Sequence, residues 1–86
     1  MKRKGELILR EIAGEHILVP VGATALRIQG MINLTESGVL IWEKLSEECT
    51  EQELVDLLLE QYDIDQDTAQ ADVAGFLNQL RGLELL

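Results

Sequence analysis

The sequence is poor in the residues that build catalytic and metal sites. It holds one cysteine, Cys49, and one histidine, His16, in 86 residues. A single cysteine excludes a disulfide framework, and one residue of each kind excludes an ordinary zinc site built from this chain alone. We therefore expect no cofactor, no metal and no catalytic residue.

Basic residues are also scarce, with 7 Lys and Arg against 16 Asp and Glu and a net charge of −9. Nonspecific nucleic-acid binding needs clustered basic residues for phosphate contacts, so no nucleic-acid partner is expected. The charge is uneven, because residues 1–34 hold five basic and three acidic residues, whereas residues 35–86 hold two and thirteen. This difference predicts two structural layers within a single domain covering residues 1–86.

Long apolar runs are absent. The first apolar stretch is interrupted by Arg10 and Glu11, and no run approaches the roughly 20 residues that cross a bilayer. We expect no membrane association and a cytoplasmic protein, with which the lone Cys49 is consistent.

The first third of the chain predicts an antiparallel sheet. Leu7–Ile12 and His16–Val19 are strand-like runs joined by a short link containing Gly14, as in a hairpin. Because Pro20 lacks a backbone donor, the second strand is expected to end there or to lie at a sheet edge. Leu26–Leu34 has apolar residues at a period of two and predicts a third strand with one apolar face.

The remainder predicts three helices. Thr35 is a candidate N-cap for the first helix, which runs to Leu45, and Thr50 with Glu53 forms a capping box for the second. The third helix carries a strong amphipathic stripe, with Gly82 as its expected C-terminal cap. The stripe consists of Ala69, Val73, Phe76, Leu77 and Leu80. The predicted fold is α+β and winged-helix-like, with an N-terminal three-stranded antiparallel sheet followed by three α-helices.

The isolated chemical candidates are weak. His16 starts a strand without a second histidine or cysteine nearby, and acidic neighbours of Cys49 disfavour a thiolate. Asp63, Asp65 and Asp67 resemble the start of a calcium loop, but the required glycine and glutamate are missing. These aspartates are better explained as caps of the third helix.

Two binding functions remain after these exclusions. A winged helix that binds DNA should present basic or amide side chains to base edges. The polar side of the third helix has two aspartates and only one arginine, at its end, among its glutamines, a surface that would repel phosphate. An open edge on the third strand would instead accept an added peptide strand. Gly30 within that strand would allow another backbone to approach closely.

The order of several short motifs resembles the PqqD family of peptide-modification chaperones. The motifs are His16-Ile-Leu-Val-Pro20, Ile32-Asn-Leu-Thr-Glu-Ser-Gly38, Ile41-Trp-Glu-Lys-Leu45, Thr50-x-x-Glu-Leu54, Tyr62-Asp-Ile-Asp65, Asp72-Val-x-x-Phe-Leu-x-x-Leu80 and Gly82-Leu83. Together they cover roughly residues 5–85.

The resemblance implies a recognition element for ribosomally synthesised, post-translationally modified peptides. Such a domain is not an enzyme; it binds the leader segment of a precursor peptide and delivers it to a modifying enzyme, often a radical S-adenosylmethionine maturase. The leader is expected to add to the third strand through the backbone of Arg27, Ile28, Gln29, Gly30 and Met31. The groove wall is expected on one flank of the third helix, at Gln66, Gln70, Val73 and Leu77.

Some alternatives stay open at this point. Val73 and Leu77 are equally well explained as core residues, and the sequence does not decide which flank of the helix faces the strand. A winged-helix regulator or a structural oligomerisation module is the alternative function. The exposed edge and the apolar C-terminus also leave a homodimer open.

Overall fold

A β-hairpin opens the fold in the computed structural model, which describes all 86 residues. Strand β1 spans Leu7–Ile12 and strand β2 spans Glu15–Pro20, paired antiparallel. The two turn residues have positive φ, 53° at Ala13 and 80° at Gly14. Positive φ at both positions suits the right-handed twist of the strands in a two-residue hairpin. The predicted hairpin is confirmed.

A short helix that was not predicted follows β2. Helix α1 spans Gly22–Arg27, and strand β3 covers only Ile32–Leu34. The predicted strand over Leu26–Leu34 is therefore wrong for its first six residues. The period-two pattern misled because Leu26 is 88% exposed, whereas the buried residues Thr24 and Ile28 stand four apart, at helical spacing.

The sheet has the order β1–β2–β3, with β2 in the centre. Strand β3 pairs antiparallel with β2, with Ile32 opposite Leu18 and Leu34 opposite His16. Both β1 and β3 are edge strands, so each has one side that pairs with no other strand.

Three helices follow the sheet, as predicted. They are α2 at Glu36–Lys44, α3 at Glu51–Gln61 and α4 at Gln66–Gly82. The Thr35 and Thr50 side chains each accept a hydrogen bond from a first-turn N–H, and Thr50 with Glu53 completes the predicted capping box. Asp65 caps α4 by accepting from the Thr68 N–H at 2.7 Å.

The C-terminal end of α4 differs slightly from the prediction. Gly82 is the last helical residue rather than the cap; Leu83 is the C-cap and Glu84 has the positive φ of 59°. Because of this turn the Leu85 N–H reaches back to the Leu80 carbonyl at 2.8 Å, and the Leu85 side chain is buried in the core.

The core lies between the inner face of the sheet and the helices. Leu18 on β2, Leu54 and Leu58 on α3 and Leu77 and Leu80 on α4 have no exposed surface. The fold class is thus the predicted α+β arrangement, with α1 inserted before β3. No helix has both the length and the apolar character needed to cross a membrane.

Candidate functional site

The end of α1 and the link to β3 hold the five residues predicted to pair with a peptide. Arg27 ends α1, and the N–H of Ile28 donates to the Thr24 carbonyl at 2.8 Å. Gln29, Gly30 and Met31 form an exposed link, in which Met31 is 63% exposed. The Ile28 N–H is therefore already used within the protein, and none of the five residues lies in a strand.

The edge of β3 that faces away from β2 is open. Residues 29–34 take part in none of the backbone hydrogen bonds that join turns, loops and helix ends. The side of β3 opposite to β2 therefore keeps main-chain donors and acceptors without a protein partner. Gly30, with a φ of 84°, adds open space, because a Cβ built there would meet nothing within 4 Å.

The clefts lie along one flank of α4, and the four α4 residues predicted as the groove wall do not line them. Val73 and Leu77 have no exposed surface and pack in the core. Gln66 and Gln70 are exposed, but they line none of the clefts. The opposite flank faces α2, since a Cβ on Gly38 would lie 3.5 Å from Cε1 of Phe76.

Two clefts mark the ends of this flank. The first, of about 370 Å³, is lined by Thr35, Glu36, Ser37, Tyr62, Ile64 and Asp72. The second, of about 500 Å³, is lined by Arg27, Ile28, Gln29, Gly82, Leu83 and Glu84. The first cleft thus combines the start of α2 with α4, and the second combines the end of α1 with the end of α4.

The chain through β3 connects the same two clefts in the opposite direction to α4. From Gln29 to Thr35 it covers at most about 20 Å if fully extended. From Asp72 to Leu83 the helix axis covers about 16 Å. Residues 29–35 and this flank of α4 therefore lead between the same two clefts in opposite directions. We call the space between them, with both clefts, the β3–α4 groove.

Arg27 closes one end of the groove by a contact between distant parts of the chain. Its Nη1 donates to the Leu83 carbonyl at 2.7 Å and lies 3.7 Å from a Glu84 carboxylate oxygen. The ion pair is largely exposed, so it contributes little to stability. Its effect is positional, because it ties α1 to the C-terminal turn of α4.

The other end of the groove is acidic. Glu36 and Asp72 line the first cleft, and neither carboxylate forms an ion pair within the chain. Tyr62 and Ile64 supply an apolar surface beside them. A bound side chain with an aliphatic stem and a positive end would match both features.

A comparison with family models covers almost the whole chain. The model described as coenzyme PQQ synthesis protein D (PqqD) matches residues 7–86. The chain belongs to the PqqD family. The resemblance seen in the ordered sequence motifs is thereby confirmed.

Among solved structures, this PqqD-family chain is similar to "TbiB1 in Complex with the TbiA(beta) Leader Peptide". The TM-score is 0.75 at 29% sequence identity, with 100% of this chain and 94% of that chain covered. The similarity therefore extends over the sheet and all the helices. A comparison with curated protein sequences gave no match.

His16 lines neither of the two clefts at the ends of the groove. It is half-buried on β2 opposite Leu34, and it lines a cleft of about 270 Å³ that shares Glu36 with the first groove cleft. No group of three or more His, Cys, Asp or Glu side chains is placed to hold a metal ion.

Cys49 is buried in the link between α2 and α3 of the PqqD-family fold. Burial raises the pKa of its thiol, with nearby carboxylates adding to the shift, and the positive N-terminus and Lys44 oppose it. A raised pKa keeps the thiol protonated and poorly nucleophilic at neutral pH.

Proposed function

We propose that this PqqD-family protein is a non-enzymatic adaptor that binds the leader segment of a ribosomally synthesised precursor peptide and presents it to a modifying enzyme. The observation that carries the proposal is the open edge of β3, which lies between two clefts that are also lined by residues of α4 and its C-terminal turn. The similarity to TbiB1, whose structure contains a leader peptide, supports the same use of this fold.

The leader would add as a strand at β3. The main chain of Ile32–Leu34 would supply the ladder hydrogen bonds, and Gln29, Gly30 and Met31 would extend the contact where the peptide meets the second cleft. Main-chain pairing provides affinity with little dependence on sequence. Arg27 and Ile28 would act through their side chains at the groove end, because the Ile28 N–H is occupied.

Specificity would come from the two clefts. The unpaired carboxylates of Glu36 and Asp72 favour a leader with a basic residue near the start of α2. An exposed ion pair of this kind contributes only about 0–1 kcal/mol, but it selects register and direction along β3. Gln66 and Gln70 would make no contact with the leader in this arrangement.

The modifying enzyme is the second partner of the proposed adaptor. Its assignment as a radical S-adenosylmethionine maturase rests on what the PqqD resemblance implies. The S-adenosylmethionine would belong to that enzyme, and the adaptor itself would need no cofactor. We place the complex of adaptor, leader peptide and modifying enzyme in the cytoplasm, where ribosomal precursor peptides are made.

The test is an NMR titration of ¹⁵N-labelled protein with the precursor peptide encoded beside it. We expect binding at tens of micromolar or tighter, roughly −6 to −7 kcal/mol, with shifts in residues 29–37 and 72–84. Outward-facing amides of β3 should also exchange more slowly with solvent once the leader has paired with them. Absence of shifts at these concentrations would refute leader binding for that peptide.

A further inference from the structure

The hairpin turn determines which residues of β2 bond to each neighbouring strand. Ile12 and Glu15 flank the two turn residues and are paired with each other. Residues that close a two-residue turn bond to each other through the main chain. Along an antiparallel strand the bonding direction alternates from one residue to the next. Glu15 and Ile17 therefore bond to β1, whereas His16 and Leu18 bond to β3.

Within β3, only Asn33 directs its main chain toward the open edge. Ile32 and Leu34 lie opposite the two β2 residues that bond to β3, so their own N–H and C=O groups are used in the sheet. Asn33 lies opposite a β2 residue that bonds to β1. Its N–H and C=O therefore point away from β2, and neither forms a hydrogen bond with a turn, loop or helix end.

The positions two residues before and after Asn33 do not offer the same pair of groups in a strand. Thr35 is the N-cap of α2, and its carbonyl accepts from the Val39 N–H at 3.0 Å. Met31 lies outside the strand and follows Gly30, which has a φ of 84°. Asn33 is thus the strand residue whose donor and acceptor are both free at this edge.

The side chains of β3 alternate between the two sides of the sheet. Ile32 and Leu34 are each 9% exposed and belong to the core cluster, whereas Asn33 is exposed. In an added strand, the residue directly opposite Asn33 places its side chain on the same exposed side. The two residues beside it point to the core side, next to Ile32 and Leu34.

We propose that the main-chain N–H and C=O of Asn33 anchor the leader peptide at the open edge of β3. The anchor selects a leader segment in which residues i and i+2 are apolar and point to the core side, while residue i+1 lies opposite Asn33 and tolerates a polar side chain. The inference rests on the proposed leader binding, and it adds the anchoring residue and the pattern of the segment that is bound.

The first measurement is amide exchange with water by NMR in the wild-type protein, without and with the leader. In the free protein the Asn33 amide should exchange faster than the amides of Ile32 and Leu34, which bond to β2. Saturating leader should slow exchange at Asn33 about tenfold or more and change its two neighbours less. Slow exchange of Asn33 in the free protein, or slowing only at Ile32 and Leu34, would overturn the inference.

The same complex tests the pattern of the leader segment. Methyl NOEs from Ile32 and Leu34 should reach two leader residues that are separated by one residue. NOEs from both methyl groups to adjacent leader residues would overturn the proposed alternation.

Asn33→Pro tests the anchor by removing the N–H that β2 does not use. Proline is tolerated on an edge strand where its missing N–H would face solvent, so the variant should keep the fold and its dispersed NMR spectrum. We expect its leader Kd to rise about tenfold. The matched control is Asn33→Ala, which also removes the side-chain amide but keeps the N–H, and it should stay within about threefold of wild type.

A folded Asn33→Pro variant with wild-type leader affinity overturns the anchor. If the proline variant does not fold, the exchange rates of the wild-type protein decide alone. The NMR titration above separates this inference from the proposed function. A wild-type protein that does not bind the leader refutes the function, whereas binding without slower exchange at Asn33 leaves leader binding intact and overturns only the anchor.

Discussion

Arg3 and Trp42 bind each other in two ways across 39 residues of sequence. The guanidinium carbon of Arg3 lies 4.5 Å from the centre of the Trp42 ring, and its Nη1 donates to the Trp42 carbonyl at 2.5 Å. The backbone N–H of Arg3 also donates to the Leu45 carbonyl at 2.9 Å. The N-terminal segment is thereby held against the end of α2.

Arg3→Ala should destabilise the fold because it removes the cation–π contact and leaves the Trp42 carbonyl without its charged donor. We expect a loss of about 1–2 kcal/mol in the free energy of unfolding, measured by urea denaturation. The control is Lys2→Ala, since the Lys2 side chain is exposed and makes no hydrogen bond or ion pair within the chain. Equal stabilities of the two variants would contradict this account of the N-terminal segment.

The Asp65 carboxylate that caps α4 should make the stability of the folded protein depend on pH. The hydrogen bond from the Thr68 N–H lowers the pKa of Asp65 below its ordinary 3.8. A carboxyl whose pKa is lower in the folded state contributes stability that is present above its unfolded pKa and lost as pH falls through its folded pKa. Thermal melts should therefore show this contribution fading below about pH 4.

Asp65→Asn is the matched control for that titration. Asparagine is as good an N-cap as aspartate but does not ionise. The variant should stay close to wild type in stability near pH 3 and lack the wild-type change that Asp65 causes between pH 4 and pH 2. A wild-type protein and an Asn variant with identical pH profiles would show that the cap does not titrate.

The parts of the fold that local chemistry determines were predictable from the sequence. Thr50 and Glu53 have the spacing of a capping box, and Gly14 readily adopts the positive φ of a tight turn, whereas Ala13 adopts its positive φ against the preference of a residue with a Cβ. Helix α1 was not predictable in the same way. Six residues are too few for a clear period, and Gly22 with a φ of 55° starts the helix where glycine suggested a loop.

The flank of α4 that lines the clefts could be identified only from the tertiary structure. The sequence stripe shows that Val73 and Leu77 share an apolar side, but burial depends on where α2 and α3 pack. Phe76 was the one available signal, because a large aromatic residue at the margin of a stripe indicates a half-buried boundary. Cleft-lining residues such as Tyr62 and Ile64 come from a link whose position only the packed helices define.

The buried Cys49 thiol should react slowly in the folded protein. Burial raises its pKa above the ordinary 9.0, so the thiolate fraction at pH 8 is small and the sulfur is also inaccessible. Reaction with a disulfide reagent at pH 8 should accelerate by about a hundredfold or more in 6 M guanidinium chloride, which abolishes both effects. Equal rates in the folded and unfolded states would contradict burial of this side chain.

The two flanks of α4 can be distinguished by placing the same charge on each. Asp72→Arg reverses a charge in the first cleft of the β3–α4 groove, whereas Gln70→Arg adds the same side chain to the exposed flank that lines no cleft. Both positions are exposed and lie within α4, so neither substitution disturbs the core.

If a basic leader residue pairs with Asp72, isothermal titration calorimetry should show Asp72→Arg weakening leader binding about tenfold, with Gln70→Arg near wild type. Equal weakening by both variants would indicate only a general charge effect, and weakening by Gln70→Arg alone would return the groove to the flank of Gln66 and Gln70. If Asp72→Arg alone weakens leader binding, the contribution of Asp72 to leader affinity should also decline with added salt. The reason is that charges on an exposed pair are screened over about 10 Å at 0.1 M ionic strength.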